Sequence, residues 1–186
     1  MSEYHQPTFP AAMKELFAKL SNGYHVCIED GDIYKNLTEN YEYYLNLFNL
    51  LGYQLSDGGD GIYYFLPLDN KINELSKRFT AFMAIMYDWL ADKGKEPVTS
   101  LTEEHFYFDQ LPHLSVEQYQ KVMGQLDVNE EKELQKIVNG LQKHGFLVII
   151  DGSLLKFRKS VARFVNMFIE VADSDDGRDQ NGESDD

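Results

Sequence analysis

Residues 131–158 read EKELQKIVNGLQKHGFLVIIDGSLLKFR, and this stretch decides the fold class. Its first half spaces apolar residues as one face of a helix does, and Gly145 ends that helix. These apolar residues are Leu134, Ile137, Val138 and Leu141. Two strands are predicted next, at residues 146–150 and 154–158, joined by the turn Asp-Gly-Ser. A helix that leads directly into a hairpin is typical of a winged-helix domain, which is a variant of the helix-turn-helix fold.

The residues before this stretch supply further helices. The spacing predicts a long helix from Asn70 to Lys93, a short one from Thr102 to Leu111, and another short one that begins at Ser115. A last amphipathic helix is predicted from Ser160 to Ala172. The second half therefore reads as a winged-helix domain.

The first half repeats this order more loosely. A helix is predicted at residues 10–20, a short strand at 24–29, one long helix from Tyr34 to Leu51, and a hairpin around the loop DGGDG. We therefore expect a mainly α fold with small β-hairpins, an α+β class, in two tandem winged-helix domains. The domains are residues 1–69 and 70–172, followed by the segment 173–186.

Composition and charge limit the class of protein. The chain has 186 residues, 43% of them apolar, and a net charge of −14. Residues 173–186, DSDDGRDQNGESDD, contain seven acids, one arginine and no apolar residue, so we expect this segment to be disordered. No apolar run is long enough to span a membrane, and the first 20 residues lack the pattern of a signal peptide. These features predict a cytoplasmic protein.

Signals of catalysis are weak throughout. The five histidines have no metal-binding spacing, and no phosphate-binding GxxxxGK or nucleophile GxSxG motif occurs. A single cysteine, Cys27, cannot form an internal disulfide or a multi-cysteine metal site. We therefore predict no catalytic residue, no metal and no cofactor.

Basic residues cluster in the helix and the wing of the second half. The helix carries Lys132, Lys136 and Lys143 along one side, and the wing with the turn after it carries Lys156, Arg158, Lys159 and Arg163. Such residues on a recognition helix and wing contact DNA phosphates. Alternatively, the helical lysines only balance the nearby glutamates on a solvated face. The strongly acidic net charge predicts that any DNA binding by the isolated chain is weak.

The aromatic-rich helices suggest a protein interface. Tyrosine and tryptophan favour interfaces, and the helices at residues 34–51 and 70–93 carry apolar residues on more than one side. We predict a homodimer whose interface includes Tyr41, Tyr44, Phe48, Phe82, Met86 and Trp89. The alternative is two cores that are rich in aromatic residues.

These features occur in an order that resembles a known family. They are NGYHVCIED at 22–30, NYEYYLNLFNLLGYQL at 40–55, GIYYFLPL at 61–68, RFTAFMAIMYDWL at 78–90 and LQKIVNGLQKHGFLVIIDGSLLKFRKSVARFV at 134–165. From Leu16 to Val171 the chain resembles the MksE family, the MukE-like accessory subunits of bacterial condensins. None of these stretches is a catalytic signature, so the resemblance depends on their order.

The resemblance implies a non-catalytic role in chromosome organisation and segregation, or in plasmid restriction. It implies tandem winged helices, homodimerisation, and binding to an MksF-like kleisin subunit that joins the heads of an SMC-like, MksB-like ATPase. It also implies a cytoplasmic, nucleoid-associated location. The alternative interpretation of the same residues is a winged-helix transcriptional regulator that binds DNA.

Overall fold

The protein is seen in a computed structural model that describes residues 12–58, 61–67, 74–165 and 168. The chain divides into two compact units, residues 1–69 and 70–186. Each unit has a hydrophobic core of its own. Helices dominate both units, and each holds a small antiparallel sheet. The prediction of a mainly α fold with small β-hairpins is therefore confirmed, whereas the winged-helix interpretation stays a prediction.

The first unit contains three α-helices and a hairpin in its described residues. They are α1 (Met13–Ser21), α2 (Asp32–Glu39), α3 (Tyr41–Leu50), β1 (Leu55–Asp57) and β2 (Tyr63–Phe65), with a 3-10 turn at Ile28–Asp30. Val26 forms an antiparallel bridge with Tyr63 of β2, through reciprocal backbone hydrogen bonds of 2.9 and 2.8 Å. The extended residue before α2 thus lies beside the second strand of the hairpin.

The expected single helix from Tyr34 to Leu51 is wrong, because the structure has two helices that meet at Asn40. The backbone of Asn40 leaves the helical region at φ −121° and ψ 29°. Its side-chain Nδ2 donates to the carbonyl of Asn36 at 2.9 Å. Asparagine competes in this way with the helix's own hydrogen bonds, so the helix ends and a new one begins.

In its described residues the second unit contains four α-helices with complete bounds, three strands and a further helical stretch at residues 162–165. The helices and strands are α4 (Glu74–Asp92), α5 (Pro97–Glu103), β3 (His105–Tyr107), α6 (Glu117–Gly124), α7 (Glu131–Lys143), β4 (Leu147–Ile150) and β5 (Leu154–Phe157). Single 3-10 turns lie at Phe108–Gln110, Pro112–Leu114 and Lys159–Val161. The sheet order is β3-β5-β4, with antiparallel pairing throughout. Of the expected last helix, Ser160 and Val161 belong to the 3-10 turn and residues 162–165 are helical, while residues 166, 167 and 169–172 lie outside the described part of the chain.

The expected helix from Thr102 to Leu111 is also wrong. Glu96 caps α5 by accepting from the amides of Val98 and Thr99, at 3.1 and 2.6 Å, and Pro97 takes the first helical position. The helix therefore begins earlier and ends at Glu103. His105–Tyr107 then pairs with β5, so this part of the chain supplies the first strand of the sheet.

The two units share one order of elements. Each has a helix, an extended stretch, two further helices with short turns around them, and a hairpin whose second strand pairs with that stretch. The extra helix α5 follows α4 in the second unit. In this order α3 of the first unit corresponds to α7 of the second.

Candidate nucleic-acid and protein interfaces

Helix α7 separates its apolar and basic residues on opposite sides. Its buried residues are Leu134, Ile137, Val138 and Leu141. Lys132, Lys136 and Lys143 are exposed. The helix begins at a capping box, in which the amide of Glu130 donates to Glu133 Oε2 at 3.1 Å. The carboxylate of Glu133 therefore caps the N-terminus of α7.

Lys156 lies on the outer side of the sheet. In the pairing of strands it stands between His105 of β3 and Val148 of β4, and all three residues are exposed. Its neighbours Leu155 and Phe157 point into the core. The alternation expected for this strand therefore holds up to Phe157.

Arg158 does not continue this exposed face. The prediction that it contacts DNA is wrong, because its side chain is only 5% exposed and its Nη1 donates to the carbonyl of Gly145 at 3.2 Å. The Oγ of Ser160 donates to the same carbonyl at 2.6 Å. Gly145 adopts φ 81° just after α7 ends, so its carbonyl lies beyond the helix and takes these two donors. Arg158 is therefore a structural residue.

The remaining two basic residues lie after the hairpin. Lys159 is exposed in the 3-10 turn, and Arg163 is half-buried in the helical residues that follow. Both have further interactions within the chain. We therefore define the basic set as the four exposed lysines of α7 and β5: Lys132, Lys136, Lys143 and Lys156.

Five of the other lysines of this acidic chain pair with carboxylates. Lys35, Lys77 and Lys121 each have a glutamate three or four residues away, with N···O distances of 3.9, 2.7 and 2.8 Å. Lys19 pairs with Asp30 and Lys95 with Glu104. Within residues 74–165, by contrast, no carboxylate lies within ion-pair distance of the basic set.

The sequence explains this difference for the helical lysines. Three and four residues after Lys132 come Gln135 and Lys136. Four and three residues before Lys143 come Asn139 and Gly140. Lys136 has a single acid in range, Glu133, which caps the helix. Because residues three and four apart are the neighbours on a helix, Lys132 and Lys143 have no acidic neighbour on α7, and Lys136 has only Glu133, which caps the helix.

Four of the six predicted interface residues are wrong. Tyr44, Phe48, Phe82 and Met86 are between 0 and 1% exposed, inside the cores of their own units. Tyr44 also donates its hydroxyl to Asn36 Oδ1 at 2.5 Å, and burial raises the pKa of that hydroxyl above its usual value. Residues that already fill a core cannot contact a partner.

The other two predicted interface residues are half-buried. The ring of Tyr41 packs against Tyr63, with ring centroids 5.7 Å apart. The ring of Trp89 faces Phe106 on one side and carries the ammonium of Lys93 3.5 Å from its centroid. Both rings therefore already have contacts within their own unit.

The exposed apolar residues of α3 and its C-cap, Leu51, are not among the predicted interface residues. Tyr43, Leu50 and Leu51 are 42%, 86% and 56% exposed, and Leu47 between them is half-buried. These four residues follow helical spacing, and we name them the α3 stripe. The second apolar side of this helix was the available signal. The break at Asn40, which sequence spacing did not reveal, fixes which side turns outward.

No group of three or more His, Cys, Asp or Glu side chains in residues 12–58, 61–67, 74–165 and 168 is arranged to hold a metal ion. None of the helices in those residues is long and apolar enough to cross a membrane.

Comparison with known proteins identifies the family. Among curated proteins, none matches this chain. The family model of the condensin complex protein MksE matches residues 11–169, which include nearly all of both units. The chain therefore belongs to the MksE family of condensin complex proteins.

Proposed function

We propose that this protein is a non-catalytic accessory subunit of a bacterial SMC-like condensin. In this role it binds a kleisin subunit, MksF-like in type, and through it an MksB-like ATPase. The complex acts in chromosome organisation and segregation, or in plasmid restriction. The observation that carries the proposal is the family match over residues 11–169, because it covers the two-unit body rather than a single DNA-binding unit.

The shared order of elements supports tandem winged helices as the scaffold. In each unit the hairpin follows α3 or α7 directly, and its second strand pairs with the extended stretch that precedes these helices. The third helix in this order, α3 or α7, holds the recognition position of a helix-turn-helix unit. The two helices carry different chemistry at that position, and this difference assigns them different roles.

The α3 stripe serves as the contact of a homodimer. The chain has no charged side chain from residue 43 to residue 56, although its net charge is −14. Two copies repel each other at long range, so they associate where like charges do not meet. An uncharged apolar face meets its own copy across a twofold axis without that penalty.

The basic set serves as a DNA contact. Its four lysines are exposed and have no carboxylate partner in the described part of the second unit. Lysines of this kind bind phosphates without reading bases, and a net charge of −14 opposes the approach of the isolated chain. Binding is therefore weak alone and stronger within the assembled complex, in the cytoplasm at the nucleoid.

A transcriptional regulator is the second candidate. The lysines of α7 at the recognition position favour it. Such a regulator would distinguish its operator from other DNA, because direct readout of bases sets its affinity. A condensin subunit would bind all sequences alike.

Copurification tests the proposal. The native, tagged protein is purified from its own cells at moderate salt, and its partners are identified by mass spectrometry. Recovery of an SMC-like ATPase with a kleisin supports the condensin role, and their absence at every salt concentration contradicts it. As a control, the variant with all four lysines of the basic set changed to Glu should retain these partners and lose DNA. If the variant within the complex holds DNA as tightly as the parent, the DNA contact is refuted.

A further inference from the structure

Besides DNA, this chain itself contains an anionic segment that could bind the basic set. Residues 173–186 carry seven acids and one arginine, a net charge of −6. The basic set carries four positive charges without a carboxylate partner in residues 74–165. Opposite charges on one chain attract strongly at low ionic strength, because the counterions that screen them are few.

The place where the described chain ends makes the contact feasible. Phe164 packs on Phe146 with ring centroids 4.8 Å apart, and Phe146 lies three residues after Lys143, the last residue of α7. The described chain thus ends in the same unit as the basic set. Helix α7 has 13 residues and is therefore about 20 Å long. The residues after Phe168 span up to roughly 60 Å when extended, so the whole of α7 is within their reach.

We infer that the acidic segment 173–186 binds the basic set and competes there with DNA. This inference rests on the proposed DNA contact for its consequence, but not for the binding itself. A segment joined to its own target has an effective concentration on the order of millimolar, so a weak electrostatic contact is enough for high occupancy. DNA then has to displace the segment before it reaches the lysines.

Carboxyl-to-amine crosslinking tests the binding without DNA. A carbodiimide forms an amide only between a lysine and a carboxylate in contact. In the full chain at about 50 mM salt, we expect crosslinks from residues 173–186 to the basic set, and we expect them to fade by about 300 mM. Lys35 and Lys121 are the matched controls, since both are exposed and paired with their own glutamates. Mixing isotope-labelled and unlabelled chains separates crosslinks within one chain from those between chains.

Anisotropy with a labelled DNA duplex tests the competition. Deletion of residues 173–186 should raise DNA affinity about fivefold at about 50 mM salt, and changing their acids to Asn or Gln should do the same. Changing Lys132, Lys136, Lys143 and Lys156 to Ala should abolish both the gain and the crosslinks. Changing Lys35 and Lys121 to Ala should abolish neither.

The two measurements separate the two hypotheses. Crosslinks to the basic set without any DNA binding by the deleted chain would support the binding of the segment and refute the DNA contact. Crosslinks no more frequent at the basic set than at the control lysines, with unchanged DNA affinity after deletion, would overturn the inference and leave the DNA contact standing.

Discussion

His113 places an ionisable ring inside the core of the second unit. The side chain is fully buried and stacks on Phe82, with ring centroids 4.0 Å apart. Its Nε2 donates to the carbonyl of Phe82 at 3.0 Å, and its Nδ1 has no hydrogen-bond partner among the described residues. Burial lowers the pKa of His113 from 6.5 to about 4, against the smaller opposing effect of the Phe82 carbonyl. The native fold therefore holds this ring neutral.

This burial predicts a stability that depends on pH. Because the pKa is lower in the folded state than in the unfolded state, only the unfolded state takes up a proton between pH 6.5 and about 4. The free energy of unfolding is therefore not reduced by protonation of His113 above pH 6.5, and it falls by about 3 kcal/mol in all as the pH drops towards 4. Urea unfolding of the parent and of His113→Gln over this range should show a shallower dependence in the variant.

An exposed histidine provides the control for this prediction. His105 lies on the outer side of the sheet. The variant His105→Gln should keep the pH dependence of the parent. Equal pH dependence in the parent and in His113→Gln would contradict the buried neutral ring.

Gly140 allows α7 to pack closely on α4. A Cβ atom at this position would lie 2.8 and 2.9 Å from two ring atoms of Phe79, which is itself buried. In an exposed helix the change Gly→Ala usually raises the free energy of unfolding, but at this position the added Cβ forces the Phe79 ring to move. We expect Gly140→Ala to lower the free energy of unfolding by about 1–2 kcal/mol in urea titrations.

Gly124 is the matched control within α6. A Cβ atom there would lie 3.3 Å from a side-chain atom of Asn129, which is exposed and can move. Gly124→Ala should therefore leave stability unchanged or raise it slightly. Stabilisation by Gly140→Ala of the same size would refute the close contact between Phe79 and α7.

At the scale of elements, one carbonyl joins the end of α7 to the end of the hairpin. Arg158 and Ser160 both donate to Gly145, and the amide of Arg158 donates to Phe146 at 2.9 Å. Arg158→Ala removes a buried donor and should cost about 1–3 kcal/mol. Lys156→Ala, two residues earlier on the exposed side, should stay within about 0.5 kcal/mol of the parent. Thermal or urea unfolding that ranks the two variants equally would contradict this assignment.

The elements also show what the sequence can predict. Helix α7 and its hairpin were predicted nearly to the residue, because the apolar spacing and the turn chemistry agree there. The break at Asn40 was missed because Tyr41, Tyr44 and Phe48 continue the helical spacing across it. Strand β3 was missed because its pairing with β5 joins residues about 50 positions apart, which local spacing cannot reveal.

The candidate site was predictable only in part, for the same reason. Exposed lysines of α7 follow directly from helical periodicity. The burial of Arg158 depends on a carbonyl 13 residues away, and the burial of Phe82 and Met86 depends on how other helices cover α4. Periodicity finds an apolar side of a helix but does not say whether a core or a partner covers it.

At the scale of the whole molecule, the two units apply one order of elements to different surfaces. Helix α7 turns lysines outward, whereas α3 turns outward Tyr43, Leu50 and Leu51. A net charge of −14 makes copies of this chain repel each other, and an uncharged apolar face that is exposed to water is unfavourable for a monomer. This contrast is the basis for placing the homodimer contact on the α3 stripe.

The dimer prediction is tested by placing charge on that stripe. Leu50 is 86% exposed and Leu51 56%, so changing both to Glu should alter the stability of the unit by less than about 1 kcal/mol. Across a twofold contact the change brings four carboxylates together, so we expect the dissociation constant of the dimer to rise by at least about 100-fold. In light scattering the parent should give twice the chain mass of 21.5 kDa, and the variant should give 21.5 kDa. Val122→Glu is the control, because Val122 is an exposed apolar residue of α6 at 41%, and it should stay dimeric. A parent that is monomeric at micromolar concentration would refute the dimer, and a double variant that remains dimeric would place its contact elsewhere than on α3.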